Sequence, residues 1–256
     1  MRLSPSAPDG FIVFSHAGDD WRESRDYVRE RMGLPRRTGP RRPSEARRQA
    51  PEHRSGEEND GRALSLWGRR QPIVGSLAER YLREARGYEG PIPASLGFLP
   101  SRSEHSPALI AAFGLATEPE PGIIEIADAD VRAVHLVRLA PDGRSRLDKI
   151  TVGRGGLGSP IVVAPLNDGL GLAITEGIED ALSIRIATGL GAWATGGASR
   201  MPAIAEAVPT YCECVTVIGD NNDAGRKNAG ELAARLRARG IEAILKIIAG
   251  GLVEAT

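Results

Sequence analysis

The stretch "VTVIGDNNDAGRKNA", residues 215–229, decides how the C-terminal part of the chain folds. Five residues of strand character, Val215 to Gly219, run directly into Asp220, Asn221, Asn222 and Asp223, and an Ala-rich helix follows. Two acidic side chains thus sit at the mouth of a strand-to-helix turn. One reading is turn and cap chemistry, because Asp and Asn bond their own backbone and favour helix starts. The other is a divalent metal.

The flanks repeat the same rhythm. "GLAIT" (171–175) is a short apolar strand, and "GIEDALSIRIATG" (177–189) is a helix stopped by Gly189. "GAWAT" (191–195) is a second strand, and "GGASRMPAIAEAV" is a loop with a short helix. After the strand at 213–219, residues 223–240 form a long helix with Ala229, Leu232, Ala233 and Leu236 on its inner face and Gly240 as its stop. "IEAILKII" (241–248) is a fourth strand. Strands alternating with helices imply parallel pairing through right-handed crossovers. The expected fold class is therefore α/β: a Rossmann-like, mostly parallel sheet with helices on both faces, whose ligands lie at the carboxyl ends of the strands.

Upstream the character changes. Residues 73–168 read as a small α+β module. "SLAERYLREARGY" is an amphipathic helix with Leu77, Tyr81 and Leu82 on one face, and "RAVHLVRLAPDGRSRLDKITV" is a hairpin around Pro141-Asp142-Gly143. Residues 35–72 are rich in Pro, Gly, Arg and Glu and poor in large apolar groups, which predicts a disordered, partly basic linker. Residues 10–34 look like a strand, a turn and a helix.

The chain of 256 residues has 41% hydrophobic content and zero formal net charge, enough apolar mass for a real core. Basic groups are nearly all arginine, the three lysines being Lys149, Lys227 and Lys246. No apolar run approaches the ~18 residues of a membrane span, and no signal-peptide h-region opens the chain, so no membrane partner and a cytoplasmic location are expected. Cys212 and Cys214 alternate on a strand and cannot make a structural zinc site alone, so no zinc is expected.

The carboxylates carry the chemistry. Glu176 directly follows "GLAIT", and Asp220 directly follows "VTVIG". If those strands are neighbours, both groups project from one edge of the sheet. Asp180, with Glu179, lies in the first turn of the next helix, and Asp223 opens the helix after Asp220. Acids at helix N-termini are favourable through the dipole alone. Several converging at one rim repel one another unless a cation is present, and hard oxygen donors without clustered His or Cys point to Mg²⁺ or Mn²⁺. His135 on "AVHLVRL" reads as a strand residue rather than a ligand.

"ITEGIEDALS" (174–183) followed by "VIGDNNDAGRKNA" (217–229) resembles the Toprim domain of bacterial and phage DNA primases, topoisomerases and some nucleases. The match is best to primases of phages and mobile elements. Residues 73–168 resemble the region preceding Toprim in those proteins, and residues 10–34 resemble the tail of their N-terminal zinc-binding module, so the resemblance implies a shortened member. The resemblance implies Glu176 and Asp220 as catalytic residues. It implies metal ligation by Glu176, Asp180, Asp220, Asn222 and Asp223, with Asn222 standing where the family has its second aspartate. Lys149, Arg154, Arg226 and Lys227 are the expected contacts to nucleic acid or nucleotide phosphates. A single-stranded DNA template and nucleotides are the implied partners, with a replicative helicase as a further candidate. The acidic patch expected after the last strand is reduced to Glu254.

Three readings follow. The first is Mg²⁺-dependent nucleotidyl transfer for primer synthesis. The second is a catalytically impaired nucleic-acid-binding remnant of such a primase, which Asn222 favours. The third is a Toprim nuclease. A topoisomerase lacks room for its strand-passage domain, and an ATPase-coupled nuclease or helicase lacks its GxxxxGK[ST] loop. A dinucleotide-binding enzyme lacks GxGxxG after the first strand of the C-terminal sheet.

Overall fold

The computed structural model describes residues 2–3, 11–12, 27–31, 56–154 and 156–248. The chain divides into two compact units, residues 1–52 and 53–256. In the first, β1 (Arg2–Leu3) pairs antiparallel with β2 (Phe11–Ile12), and a helical turn covers 27–31. The remainder of the expected 10–34 element, the linker from 35 to 55 and Glu254 lie outside the described residues.

The second unit opens with a departure from expectation. Helix α1 (Gly56–Gly68) occupies sequence assigned to the linker. Its composition is polar, but Ala63 and Trp67, one turn apart, are fully buried. They pack with Ala108, Ile110, Val134 and Leu136 on one face of a sheet. Two anchors are too few to register as periodicity; the sheet supplies the apolar surface that the helix lacks. The Trp67 indole N–H donates to Asp128 at 2.9 Å, and the Arg70 guanidinium stacks 3.9 Å from the ring centre.

Helix α2 (Leu77–Arg80) begins at Ser76, whose hydroxyl accepts from the amides of Ala78 and Glu79. It continues as a π-helical turn over Tyr81–Ala85, burying Tyr81 and Leu82, and Gly87 in the left-handed region (φ 63°) ends it. β3 (Leu96–Leu99), β4 (Ala108–Phe113), β7 (Ala133–Leu139) and β8 (Arg146–Val152) form an antiparallel sheet in that order, with the small hairpin β5 (Thr117–Glu120) and β6 (Ile123–Glu125) set apart. The β7–β8 hairpin turns at Pro141-Asp142-Gly143 with Gly143 at φ 70°, as the sequence predicts.

The C-terminal sheet runs β13 (Glu242–Ile248), β12 (Cys214–Asp220), β10 (Gly171–Thr175), β11 (Gly191–Ala194), β9 (Ile161–Ala164). All neighbours pair parallel except β9, which joins β11 antiparallel at the edge. β9 falls within the sequence assigned to the preceding module, yet hydrogen bonding places it in this sheet.

Alternation sorts the two faces. Leu172, Ile174, Trp193, Val215 and Val217 face helix α4 (Asp223–Ala238) and the 3-10 helix Ala198–Ala207. Ala192 and Ala194 face helix α3 (Ile178–Thr188) and the first module's Tyr81, Leu109 and Phe113. The small side chains on this second face let the module seat directly on the sheet. Ala229, Leu232, Ala233 and Leu236 are fully buried, the i, i+3, i+4, i+7 stripe of a helix lying on a sheet. Helices therefore cover both faces of a mostly parallel sheet. No helix among the described residues is long and apolar enough to cross a membrane.

Candidate active site between the sheet edge and the hairpin

β10 and β12 are adjacent and parallel, with Ile174 opposite Val217. Their carboxyl ends therefore emerge side by side. Glu176, one residue beyond β10, and Asp220, the last residue of β12, meet there: Glu176 Oε1 accepts the Asp220 backbone N–H at 2.9 Å. The turn is tight. A Cβ at Gly225 would lie 2.4 Å from the Asp220 carbonyl oxygen and 2.6 Å from Glu176 Oε1, so no larger residue fits there. Burial foremost, with the charges of Asp220 and Asp180 nearby, pushes the Glu176 carboxyl above its usual range against the pull of the Asp220 amide.

Glu176, Asp180 and Asp220 line one side of a cleft of about 390 Å³. Gly196 and Gly197, at the end of β11, form part of its floor. Gly196 (φ 71°) also passes so close to Phe113 that a Cβ would sit 2.7 Å from the ring.

The opposite wall is cationic and belongs to the first module: Arg86, Arg146 and Lys149, with His135. Its anchor is Glu179, in the first turn of α3 and 7% exposed. Glu179 accepts from the Tyr81 hydroxyl at 2.9 Å, from Arg146 at 3.3 Å and from Lys149 Nζ at 3.0 Å. Burial alone would raise its carboxyl; the Lys149 ammonium and these hydrogen bonds instead hold it down at about 2. The same environment pushes the Tyr81 phenol up to about 12, through burial and then the Glu179 charge. His135 is buried, bonds Thr151 Oγ1 at 3.0 Å and is pushed down to about 4 by burial and then by Lys149. It is a strand residue, as expected, that also lines the cleft.

Arg146 and Lys149 reach one carboxylate although they stand three apart on a strand, where alternation would send them to opposite faces. The ladder shifts here: Arg138 pairs with Asp148, but Leu139 pairs with Arg146, skipping Leu147. That bulge restores both cations to the cleft side and leaves Leu147 57% exposed.

The remaining expected residues lie elsewhere. Asn222 is the N-cap of α4, its Oδ1 accepting from the Gly225 amide at 2.8 Å. Asp223 is fully exposed and pairs with Arg226 at 2.8 Å. Neither lines the cleft. Arg154 is exposed, with its backbone amide bonded to Asp60 at 2.8 Å, and Lys227 is exposed on α4. Of the four expected phosphate contacts, only Lys149 lines the cleft.

Among the described residues no three His, Cys, Asp or Glu side chains are grouped closely enough to hold a metal unaided. The chemistry nonetheless suits Mg²⁺, which takes one or two carboxylates and completes its shell with waters and substrate phosphates. A cation there would also offset the burial and the neighbouring Asp220 and Asp180 charges that raise the Glu176 carboxyl.

Residues 171–250 match the Toprim domain family, and residues 57–160 match a domain of unknown function, DUF7146. No curated protein sequence matches the chain significantly. Among solved structures, a DNA primase domain from Pseudomonas aeruginosa aligns at TM-score 0.38 and 10% identity, over 66% of this chain and 51% of that one. The Aquifex aeolicus primase, zinc-binding and RNA polymerase domains, aligns at TM-score 0.41 and 15% identity, over 90% of this chain and 62% of that one. The chain thus spans less than two thirds of the length of either. With Glu176 and Asp220 at adjacent parallel strand ends and the family match spanning the same strands, the segment from 171 to 250 is a Toprim domain.

Proposed function

We propose that this chain is a primase-type nucleotidyltransferase acting on a single-stranded DNA template, of the kind found in phages and mobile elements. One observation carries the reading: acidic Glu176, Asp180 and Asp220 face cationic Arg146 and Lys149 across one cleft. A polyphosphate substrate needs both walls, cations for its oxygens and carboxylates for the Mg²⁺ that accompanies it. Bound Mg²⁺ would supply charge neutralisation at the phosphates, with Glu176 and Asp220 as its protein ligands. In the transfer, a primer 3′-oxygen bonds the α-phosphorus of a nucleotide, pyrophosphate leaves, and the hydroxyl proton passes to a base. Glu176 takes that proton where it is not engaged as a ligand of the metal. Lys149 and Arg146 orient the phosphates from the opposite wall.

A second reading is a nucleic-acid-binding protein without catalysis. It draws on Asn222, whose carbonyl is committed to capping α4, and on Lys149 and Arg146, which Glu179 already neutralises in part. Template-dependent synthesis of oligoribonucleotides with Mg²⁺ or Mn²⁺ separates the two. Catalysis predicts synthesis that drops at least ~100-fold in Glu176→Gln, since electrostatic and acid–base roles each contribute on that order. No product from wild-type protein, with single-stranded DNA still bound, supports the second reading.

A further inference from the structure

The β3-β4-β7-β8 sheet has a second working face. His135 and Lys149 point to the Toprim side and the cleft, whereas Leu136, Arg138, Ile150 and Val152 point away from it. Helix α1 covers only part of that far face. Beside it lies a groove of about 700 Å³, bordered by α1 and by the turn at Ser101–Ser106. This volume falls in the range of ligand-sized pockets, roughly 300–1,000 Å³.

The lining is one-sided in charge. Arg62 and Arg69 come from α1 and its end, Arg102 from the turn and Arg138 from β7, and among the described residues no acidic side chain lines the groove. Asp148 pairs with Arg138 through Nε and Nη2, which leaves three arginines whose charge no described carboxylate answers by a salt bridge. Ser101 and Ser103 add hydroxyls at the rim. Ser103 holds a left-handed backbone (φ 50°), a conformation costly for a residue with a side chain. The floor is aliphatic, and Ile150 stays 39% exposed on it. The whole chain has zero net charge, so this concentration of arginine is local and not a reflection of overall basicity.

We infer that this groove binds the sugar-phosphate backbone of a single-stranded nucleic acid, outside the cleft and on the opposite face of the sheet. Arginine forks and serine hydroxyls suit phosphate oxygens, while the aliphatic floor takes the apolar faces of sugars and bases. The site would hold a template or product strand away from the reacting ends, which requires no metal and no catalysis.

The test is binding of a labelled oligothymidylate to the full chain by fluorescence anisotropy across a NaCl series. Each neutralised phosphate contributes about 0.7 to the slope of log K against log salt for a single strand. The triple variant Arg62→Ala/Arg69→Ala/Arg102→Ala should therefore lower the slope by about 2. The corresponding Arg→Lys triple variant should retain it, because the charge and not the fork sets this quantity. Lys246→Ala, exposed on β13 and lining neither the groove nor the cleft, should leave the slope unchanged. An alanine variant that is folded and keeps the wild-type slope overturns the inference, as does wild-type protein that binds no oligonucleotide at low salt. So does a triple variant whose only change is loss of self-association in sedimentation, which would make the occupant a second copy of the chain. A failure of primer synthesis with the slope change intact would sink the catalytic reading and leave this one standing.

Discussion

Replacing Glu179 by glutamine removes the one negative charge between Tyr81, Arg146 and Lys149 while keeping the size of the side chain. The folded protein holds this carboxyl at about 2, from an ordinary 4.5. At ~1.4 kcal/mol per pH unit, that interval corresponds to about 3 kcal/mol of stability. The sign follows from the direction. A carboxyl depressed on folding stabilises fully above its unfolded value and loses that contribution as pH falls toward the folded one. At pH 7 Glu179→Gln should therefore be less stable than wild type by about 3 kcal/mol, the scale of breaking a buried ion pair. At pH 3 wild type retains only about 1 kcal/mol of the effect, and the gap should narrow accordingly. Urea denaturation of both proteins at the two pH values measures this. Lys149 is 30% exposed and so can recover water when its partner is removed, which makes Lys149→Met/Glu179→Gln less damaged than the sum of the singles. A gap that is the same at pH 3 as at pH 7, or below ~1 kcal/mol at pH 7, refutes the account, because it would mean that Glu179 acts by packing alone.

Two further substitutions probe the turn after β12. Asn222→Ala should cost about 1 kcal/mol through loss of the α4 cap, whereas Asn222→Asp, an equally good cap, should leave stability within ~0.5 kcal/mol. Because residue 222 faces the helix and not the cleft, Asn222→Asp should also leave Mg²⁺ affinity, measured by calorimetry, within about threefold, less than the ~1.4 kcal/mol that makes a tenfold change; a tenfold gain would show that this side chain turns to the metal. Gly225→Ala places a methyl group against the Asp220 carbonyl and Glu176 Oε1. It should lower stability by about 1–3 kcal/mol, as overpacking does, and displace Glu176 so that primer synthesis falls further than stability alone explains. Normal activity in a folded Gly225→Ala protein would separate Glu176 from the reaction.

The C-terminal sheet was legible because its signals are local and mutually consistent. Val215–Gly219 is a buried strand, Asn222 and Gly240 bracket α4, and Gly189 stops α3 with φ 68°. Each choice agrees with the parallel topology, so short windows suffice. Helix α1 shows the converse. Little in "GEENDGRALSLWG" makes a helix on its own: among its described side chains Ala63 and Trp67 are buried, with Leu66 packed beside them. Its stability resides in the sheet it covers, whose contributing residues run from Ala108 to Leu136, and composition read over one window cannot see that surface. β9 likewise looks like any apolar strand; which of two sheets it joins is set by long-range pairing with β11.

The candidate site divides along the same line. Glu176 and Asp220 could be paired from sequence because parallel neighbours bring their carboxyl ends together, and the pair needs only the order of strands. The cationic wall needs register. From "RSRLDKITV" alone, alternation would put Arg146 and Lys149 on opposite faces, and one of them would be dismissed as solvated. The bulge at Leu147 reverses that assignment, and nothing in the local residues announces it. The expectation that residues 222 and 223 join the ligands turns on a related choice. An acidic or amide side chain at a strand-to-helix turn can serve the helix or the cleft. Asn222 serves the helix through the Gly225 amide, and that same Gly225 is what lets Glu176 approach Asp220. The turn thus fixes the two carboxylates beside it, and in this structure the Asn222 carbonyl is spent on the Gly225 amide rather than turned to the cleft.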